Sequence, residues 1–504
     1  MKSTPLTSAI HYPNGTSAES VNLVEEGSLP AAWYSRWREN PTAPVVFTDE
    51  AGRVSAEQLE HLSATRAQVF HHAGLQRGQR ILMSASTSLD LVVSHVAALR
   101  LGAIVVPANT AFTAREIAHI VSDSSPAMAI VDQPAMADTI RELSPAIVVS
   151  TPTWDLPDEA IANEVLLDQS TPTDPAMLAY TSGTTGSPKG ALLSHGNLLA
   201  SAEALRLAWR WTPEDRLVLP LPLFHMHGLG VGLHGTLLSG ASVVLQEGFN
   251  VSRVLDAIHA HKATLFFGVP TLWSRLLSSG RIGELRSLRL AVSGSAPLDP
   301  TTHGEIALQS GQRIIERYGM TETIMLTSNP YDGERRAGTV GVALPQVDLR
   351  LDNETSEIFV KGPNVFSGYW QREDATSESL EGGWFATGDV GEFDEAGYLR
   401  IVGRRKDLII SGGYNVYPRE IEDLLRTHES VHDIAVVGQP HPDWGEAVIA
   451  VVEGDPTSEA ELASVASRQL APYKRPKRYV FVDALPRNAL GKVVKAQLSE
   501  VIGP

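Results

Sequence analysis

The chain has 504 residues, 43% of them hydrophobic, which is too long for one core and implies two or more domains. Its net charge of -17 argues against nucleic acid, whose phosphates need a basic surface, and leaves any anionic substrate to local cations. The absence of cysteine excludes disulfides, thiolate nucleophiles and cysteine-based metal sites, and fits a reducing cytoplasm.

The polar start MKSTPLTSAIHYPNGTSAES has no apolar targeting segment and reads as a loose arm. No run of about 18 uncharged apolar residues occurs, so no membrane span is expected. From Arg80 to Asp132 strands and helices alternate: ILMSAS, the amphipathic helix Leu89–Leu101, AIVVPAN, the helix Ala114–Ser122 and AMAIVD. A second series from Leu217 to Val292 contains LVLPLPLF, SVVLQ, ATLFFGVP and RLAVSG. Such alternation predicts two wound, mainly parallel sheets in an α/β N-terminal domain. From about 345 to 404 short strands and glycine turns (EIFVKGPN, GWFATGDV, EAGYLRIVG) read as a small β-rich subdomain. The boundary is placed in Gly403-Arg404-Arg405-Lys406-Asp407, giving domains 1–404 and 405–504. The second is a small α+β unit with helices at Glu420–Thr427 and Glu459–Leu470 and strands at Ile434–Val437 and Val448–Val452.

The stretch Thr181–Gly190, TSGTTGSPKG, follows the apolar run Ala176–Tyr180. Its glycines permit tight turns that expose backbone N–H groups, five hydroxyl residues add donors and Lys189 adds charge. A strand that delivers such a loop is suited to a polyphosphate. The spacing is not that of a Walker loop. The loop resembles the phosphate signature of the adenylate-forming superfamily of acyl-CoA synthetases, adenylation domains and luciferases. The resemblance extends from about residue 30 to the end. PLFHMHG at Pro222–Gly228, SGSAP at Ser293–Pro297, ERYGMTET at Glu316–Thr323, Thr387-Gly388-Asp389, GRRKDLIISGGYNVYPREIE from Gly403 and PRNALGK at Pro486–Lys492 follow in the family's order.

The resemblance implies an acid–thiol ligase that first forms an acyl-adenylate from ATP and then the CoA thioester. Thr181, Ser182, Gly183, Thr184, Thr185, Gly186 and Lys189 would hold phosphates. Ser295, Ala296, Pro297, Glu316, Arg317, Tyr318, Gly319, Met320 and Thr321 would line the nucleotide, with adenine on the flat face of Tyr318 and Thr321 at the α-phosphate. Thr185 and Glu322 would take the Mg²⁺ that accompanies ATP. Asp389 would accept the ribose hydroxyls, assisted by Arg404. Lys492 would offset charge developing at the α-phosphate. Lys406 would be the hinge of a mobile C-terminal domain, and Ser411-Gly412-Gly413 would approach the CoA arm. His227 reads as structural, and no further metal site is implied.

Arg317 stands where the family often has glycine, beside the acyl pocket. Its planar fork fits a carboxylate and obstructs a fatty or aryl acid. With Arg275 as a second cation, Ser295 nearby and His225 as a gate, the pocket resembles that of malonyl-CoA synthetases. The expected substrates are malonate, ATP and CoA; methylmalonate or a carrier-protein thiol are the alternatives. Arg317 could instead pair with Glu316, and Arg275 could be a solvated helix residue. A monomer or homodimer is expected, and a lysine acetyltransferase acting on Lys492 is a possible partner.

Overall fold

The computed structural model describes residues 7–49, 52–153, 165–181, 188–411, 414–487 and 492–503. Among these residues the chain forms four sheets. The first has seven strands. Val148–Ser150, Met128–Val131, Arg80–Ser84, Ile104–Pro107 and Pro175–Thr181 lie side by side and parallel. Lys189–Ser194 and then Gly368–Tyr369 extend that edge antiparallel. The second sheet has nine strands. Its parallel centre runs Ile315–Tyr318, Leu290–Ser293, Leu265–Gly268, Arg216–Leu219, Ser242–Leu245 and Pro44–Thr48, with antiparallel strands at both edges.

Both sheets are wound as the alternation predicts. Strands such as Ile104–Pro107 and Leu265–Gly268 are buried at every residue, because helices cover both faces of a parallel sheet. One apolar core joins the facing layers of the two sheets.

Two expectations are corrected. Helix Leu89–Leu101 is not amphipathic: every residue from Leu91 to Leu101 is buried, including His95 and Arg100. Its charge is satisfied internally, since Arg100 pairs with Asp168 at 2.9 Å and Glu60 at 3.2 Å. The N-terminal arm, from residue 7 on, is packed against the body. Arg210 donates to the carbonyls of His11 and Tyr12 at 2.7 and 3.0 Å, and Gln346 Nε2 donates to that of Val21 at 2.7 Å.

The third sheet is the β-rich subdomain. Asp348–Leu351, Glu357–Lys361, Trp384–Phe393 and Leu380–Glu381 are joined antiparallel, and Leu399–Arg404 pairs with Trp384–Phe393. The chain leaves this subdomain once, so that Gly368–Tyr369 can pair with the first sheet. After Arg404 a single tight turn, Arg405–Asp407, leads to a fourth sheet built from Ile409–Ser411, Tyr414–Val416, Gly445–Gly454, Val431–His441 and Arg478–Val482. Helices Pro418–Arg426 and Glu459–Gln469 accompany it. Among the described residues no helix is long and apolar enough to cross a membrane.

Candidate active site

The phosphate-loop strands Pro175–Thr181 and Lys189–Ser194 pair antiparallel, with Thr181 opposite Lys189. Ser182, Gly183, Thr184, Thr185 and Gly186 lie outside the described residues, as do Gly412 and Gly413. Both feet of the loop are braced by helix Ala114–Ser124. Tyr180 donates its hydroxyl to Asp123 Oδ2 at 2.7 Å, and His119 Nε2 lies 2.9 Å from the Pro188 carbonyl oxygen.

Strand Ile315–Tyr318 ends at a turn that carries Gly319, Met320, Thr321 and Glu322. Glu322 is 5% exposed and accepts a 2.8 Å hydrogen bond from the Tyr369 hydroxyl. Burial, and the nearby charge of Asp389, raise its pKa. A buried carboxylate facing another acid is a donor that a cation would stabilise, so Glu322 fits the Mg²⁺ role on its chemistry.

Asp389 is 6% exposed and gathers two partners. Tyr318 donates to Oδ2 at 2.6 Å, and Arg404 Nε lies 3.2 Å from Oδ1. The backbone enforces this arrangement, because Asp389 and Arg404 are opposite residues of an antiparallel pair. Glu357 supports the turn from behind: one oxygen accepts the Gly388 N–H at 3.1 Å and the other pairs with Arg405 at 2.6 Å.

Residues 316 and 317 point to opposite faces of their strand. Glu316 accepts the N–H groups of Leu298 at 3.2 Å and Gly338 at 3.0 Å, and burial pushes its pKa up to about 7. It therefore fixes two loops and does not pair with Arg317. Arg317 is 6% exposed, and its Nε and Nη2 have no hydrogen-bond partner among the described residues. Burial lowers its pKa to about 9, which leaves it cationic at neutral pH.

Around that guanidinium stand Gly294, Ser295 and two histidines. A Cβ at Gly294 would lie 2.3 Å from Arg317 Cζ. Ser295 holds a left-handed backbone, φ +69°, and its Oγ lies 3.3 Å from His227 Nδ1. The His227 Nε2 is buried and unpartnered among the described residues. A tight approach shapes this wall: a Cβ at Gly228, within the π-helical segment His227–Leu233, would lie 2.3 Å from the Pro222 carbonyl oxygen. Burial, with the charges of Lys492 and Arg317, lowers the His225 pKa to about 4. Burial, with Arg317, holds His227 neutral as well.

Lys492 is partly open to solvent as a residue, yet its ammonium stands inside the field of this site. Its pKa is lowered by desolvation and by repulsion from Arg404 and Arg317, against the attraction of Asp389. The segment that carries Lys492, after the fourth sheet, thus stands in the field of Asp389, Arg404 and Arg317 together. Two predicted residues stand apart. Arg275 is exposed on helix Pro270–Ser278, with no hydrogen bond or ion pair among the described residues. Ser411 is buried in the fourth sheet opposite Tyr414 and Gly445. Ala296 and Pro297 are exposed, and Lys406 is exposed in the turn after Arg404. Sequence reasoning missed Tyr369, Glu357 and Asp123. Their roles arise from contacts far along the chain, and the motifs that surround them carry no signal of those contacts.

The model of the AMP-binding enzyme family matches residues 33–370, and that of the AMP-binding enzyme C-terminal domain matches residues 420–492. The chain belongs to the AMP-binding enzyme family, and it is an acid–thiol ligase of the acyl-CoA synthetase type. It is 38% identical to the ATP-bound MatB from Rhodopseudomonas palustris, with a TM-score of 0.87 over 94% of this chain and 98% of that one. It is 34% identical to the feruloyl-CoA synthase of an Amycolatopsis species, over 95% of this chain and 99% of that protein. It is also 34% identical to the malonate–CoA ligase of Arabidopsis thaliana, over 85% of this chain and 78% of that protein. Relatives with different acids are thus equally near, and acid choice has to be read from the pocket.

Proposed function

We propose that the protein is an ATP-dependent malonyl-CoA synthetase, which joins malonate to CoA with release of AMP and pyrophosphate. One observation carries the reading: Arg317 is a buried guanidinium whose Nε and Nη2 lack a partner among the described residues, beside Ser295 and within the field of Lys492. A buried, unpaired charge is costly, and a fork of N–H donors is matched by a carboxylate. In this reading the distal carboxylate of a short diacid completes Arg317, while the other carboxylate faces the α-phosphorus.

The residues then divide the work. Tyr318 presents its ring to adenine, and Asp389 and Arg404 hold the ribose. Thr181 and Lys189 hold phosphates at the ends of the loop, and Thr321 meets the α-phosphate. Glu322, with Thr185, would hold Mg²⁺, which neutralises phosphate charge when bound. The substrate carboxylate oxygen attacks the α-phosphorus and pyrophosphate leaves. Lys492 offsets the charge that builds up at that centre. The CoA thiol then attacks the acyl carbon and AMP leaves. Between the steps, residues 405–504 would rotate about Lys406, withdraw Lys492 and bring Ser411-Gly412-Gly413 towards the CoA arm. His225 would gate the acyl side. Acetylation of Lys492 would remove its charge and switch the first step off.

A panel of carboxylic acids with ATP and CoA, read by AMP formation, tests the reading. Malonate is expected to lead, with methylmalonate or another short diacid as the nearest rival. A monocarboxylate with higher catalytic efficiency than malonate would overturn it. Replacing CoA by a carrier-protein thiol in the same assay separates the loading alternative.

A further inference from the structure

The phosphate-loop lysine and the carboxylate assigned to the metal come from distant parts of the chain, yet one aromatic side chain touches both. The Tyr369 hydroxyl donates to Glu322 Oε1 at 2.8 Å. The Lys189 ammonium sits 5.2 Å from the centre of the Tyr369 ring, a distance at which the ring face attracts a cation.

The backbone around Tyr369 is fastened to both partners. Towards Glu322, Asn364 Nδ2 donates to the carbonyls of Thr323 and Met325 at 2.8 and 2.7 Å, and the Phe366 N–H donates to that of Glu322 at 2.8 Å. Towards the phosphate loop, Gly368 and Tyr369 pair with Leu192 and Ala191, and the Trp370 N–H donates to the Gly190 carbonyl at 2.8 Å. The Phe366 ring meets the Tyr369 ring edge-on at 4.8 Å, which restricts its rotation.

We propose that Tyr369 is a positioning residue for the adenylating step: it sets the spacing between Lys189 and Glu322, so that phosphate and metal are received in one register. The proposal rests on the acyl-adenylating class of the enzyme and not on the identity of the acid. Tyr369→Phe keeps the ring under Lys189 and removes the donor to Glu322. Tyr369→Leu removes both.

Calorimetric titration of the full-length protein with ATP, in excess Mg²⁺ and in EDTA, separates the two contacts. For Tyr369→Phe, ATP affinity is expected to fall roughly tenfold in Mg²⁺ and to change little in EDTA, the loss typical of a hydrogen bond to a charged group. Tyr369→Leu is expected to weaken ATP in both conditions. In a double-mutant cycle with Glu322→Gln, the Mg²⁺-dependent losses are expected not to add. Equal effects of Tyr369→Phe in both conditions, unchanged affinity in Mg²⁺, additive losses, or failure of both variants to fold would each overturn the proposal and leave Tyr369 a purely structural residue. A wild-type protein that binds no ATP would remove the adenylating reading itself. A wild type that binds ATP beside an unaltered Tyr369→Phe removes only this inference.

Discussion

The guanidinium of Arg317 lies directly against the α-carbon of Gly294: a single added Cβ there would sit 2.3 Å from Cζ and 2.4 Å from Nε. Only a residue without a side chain leaves the fork where it is. Gly294→Ala is therefore expected to displace the guanidinium while leaving the Tyr318–Asp389–Arg404 group intact. The KM for the diacid should rise about tenfold or more and the KM for ATP should hardly move, if one charge-assisted contact of ~1.5–3 kcal/mol is lost. Steady-state kinetics with each substrate varied in turn will show it. A change confined to ATP would remove Arg317 from the acyl side.

Removing Arg317 itself should be more severe. Arg317→Gly is expected to cost two to three orders of magnitude or more in malonate efficiency, since loss of one partner of a desolvated charge pair costs about 3–5 kcal/mol. Weak activity on propionate or butyrate should appear. Burying a guanidinium whose Nε and Nη2 find no partner among the described residues costs stability. An isosteric apolar change, Arg317→Met, should accordingly raise the thermal midpoint without substrate and abolish the stabilisation by malonate. A lower midpoint would mean that the guanidinium has a structural partner.

Lys492→Ala is expected to block adenylation and to spare thioester formation from supplied malonyl-adenylate, because the ammonium stands in the field of Asp389, Arg404 and Arg317 in this arrangement. Lys406→Pro should act in the opposite sense. Residue 406 lies within the one-turn helix Arg405–Asp407, a backbone that proline tolerates, so this arrangement persists while rotation is resisted. Pyrophosphate release and thioester formation, measured separately on both variants, will test the pair of expectations. Equal loss of both steps in either variant would count against the division of labour.

Buried histidines should make the fold acid-sensitive. Burial lowers the pKa of His95 to about 3 and of His11 and His195 to about 4, and holds His234 neutral. His95 and His234 share a hydrogen bond, their Nε2 atoms 2.8 Å apart. Each prefers the neutral form when folded, so below about pH 6.5 the unfolded chain binds more protons. The associated stability is complete above pH 6.5 and is lost as the pH falls towards the folded values. One such histidine accounts for roughly 2 kcal/mol by pH 5. Urea unfolding at pH 7.5 and pH 5 should show the difference, and joint replacement His95→Leu with His234→Leu should reduce it. An unaltered slope in that double variant would place the sensitivity elsewhere.

The sequence by itself determined the chemistry and the sheet architecture. Thr181–Gly190, Glu322, Asp389 and Lys492 could be singled out in the sequence because residue types suited to phosphate, metal and ribose sit there in short contiguous stretches. The parallel sheets were legible because their strands, buried on both faces, are unbroken apolar runs such as Ile104–Pro107. Periodicity, however, records only which residues are apolar, not what will cover them. His95 and Arg100 of Leu89–Leu101 looked solvated, yet packing buries them, and the seemingly loose arm is held by Arg210 and Gln346. Only the tertiary structure decided that Glu316 turns to the N–H groups of Leu298 and Gly338 and leaves Arg317 Nε and Nη2 without a partner among the described residues, and that Tyr369 reaches Glu322 across 47 positions. These are long-range choices of partner, fixed by how the sheets and the subdomain pack, and no local pattern of residues encodes them.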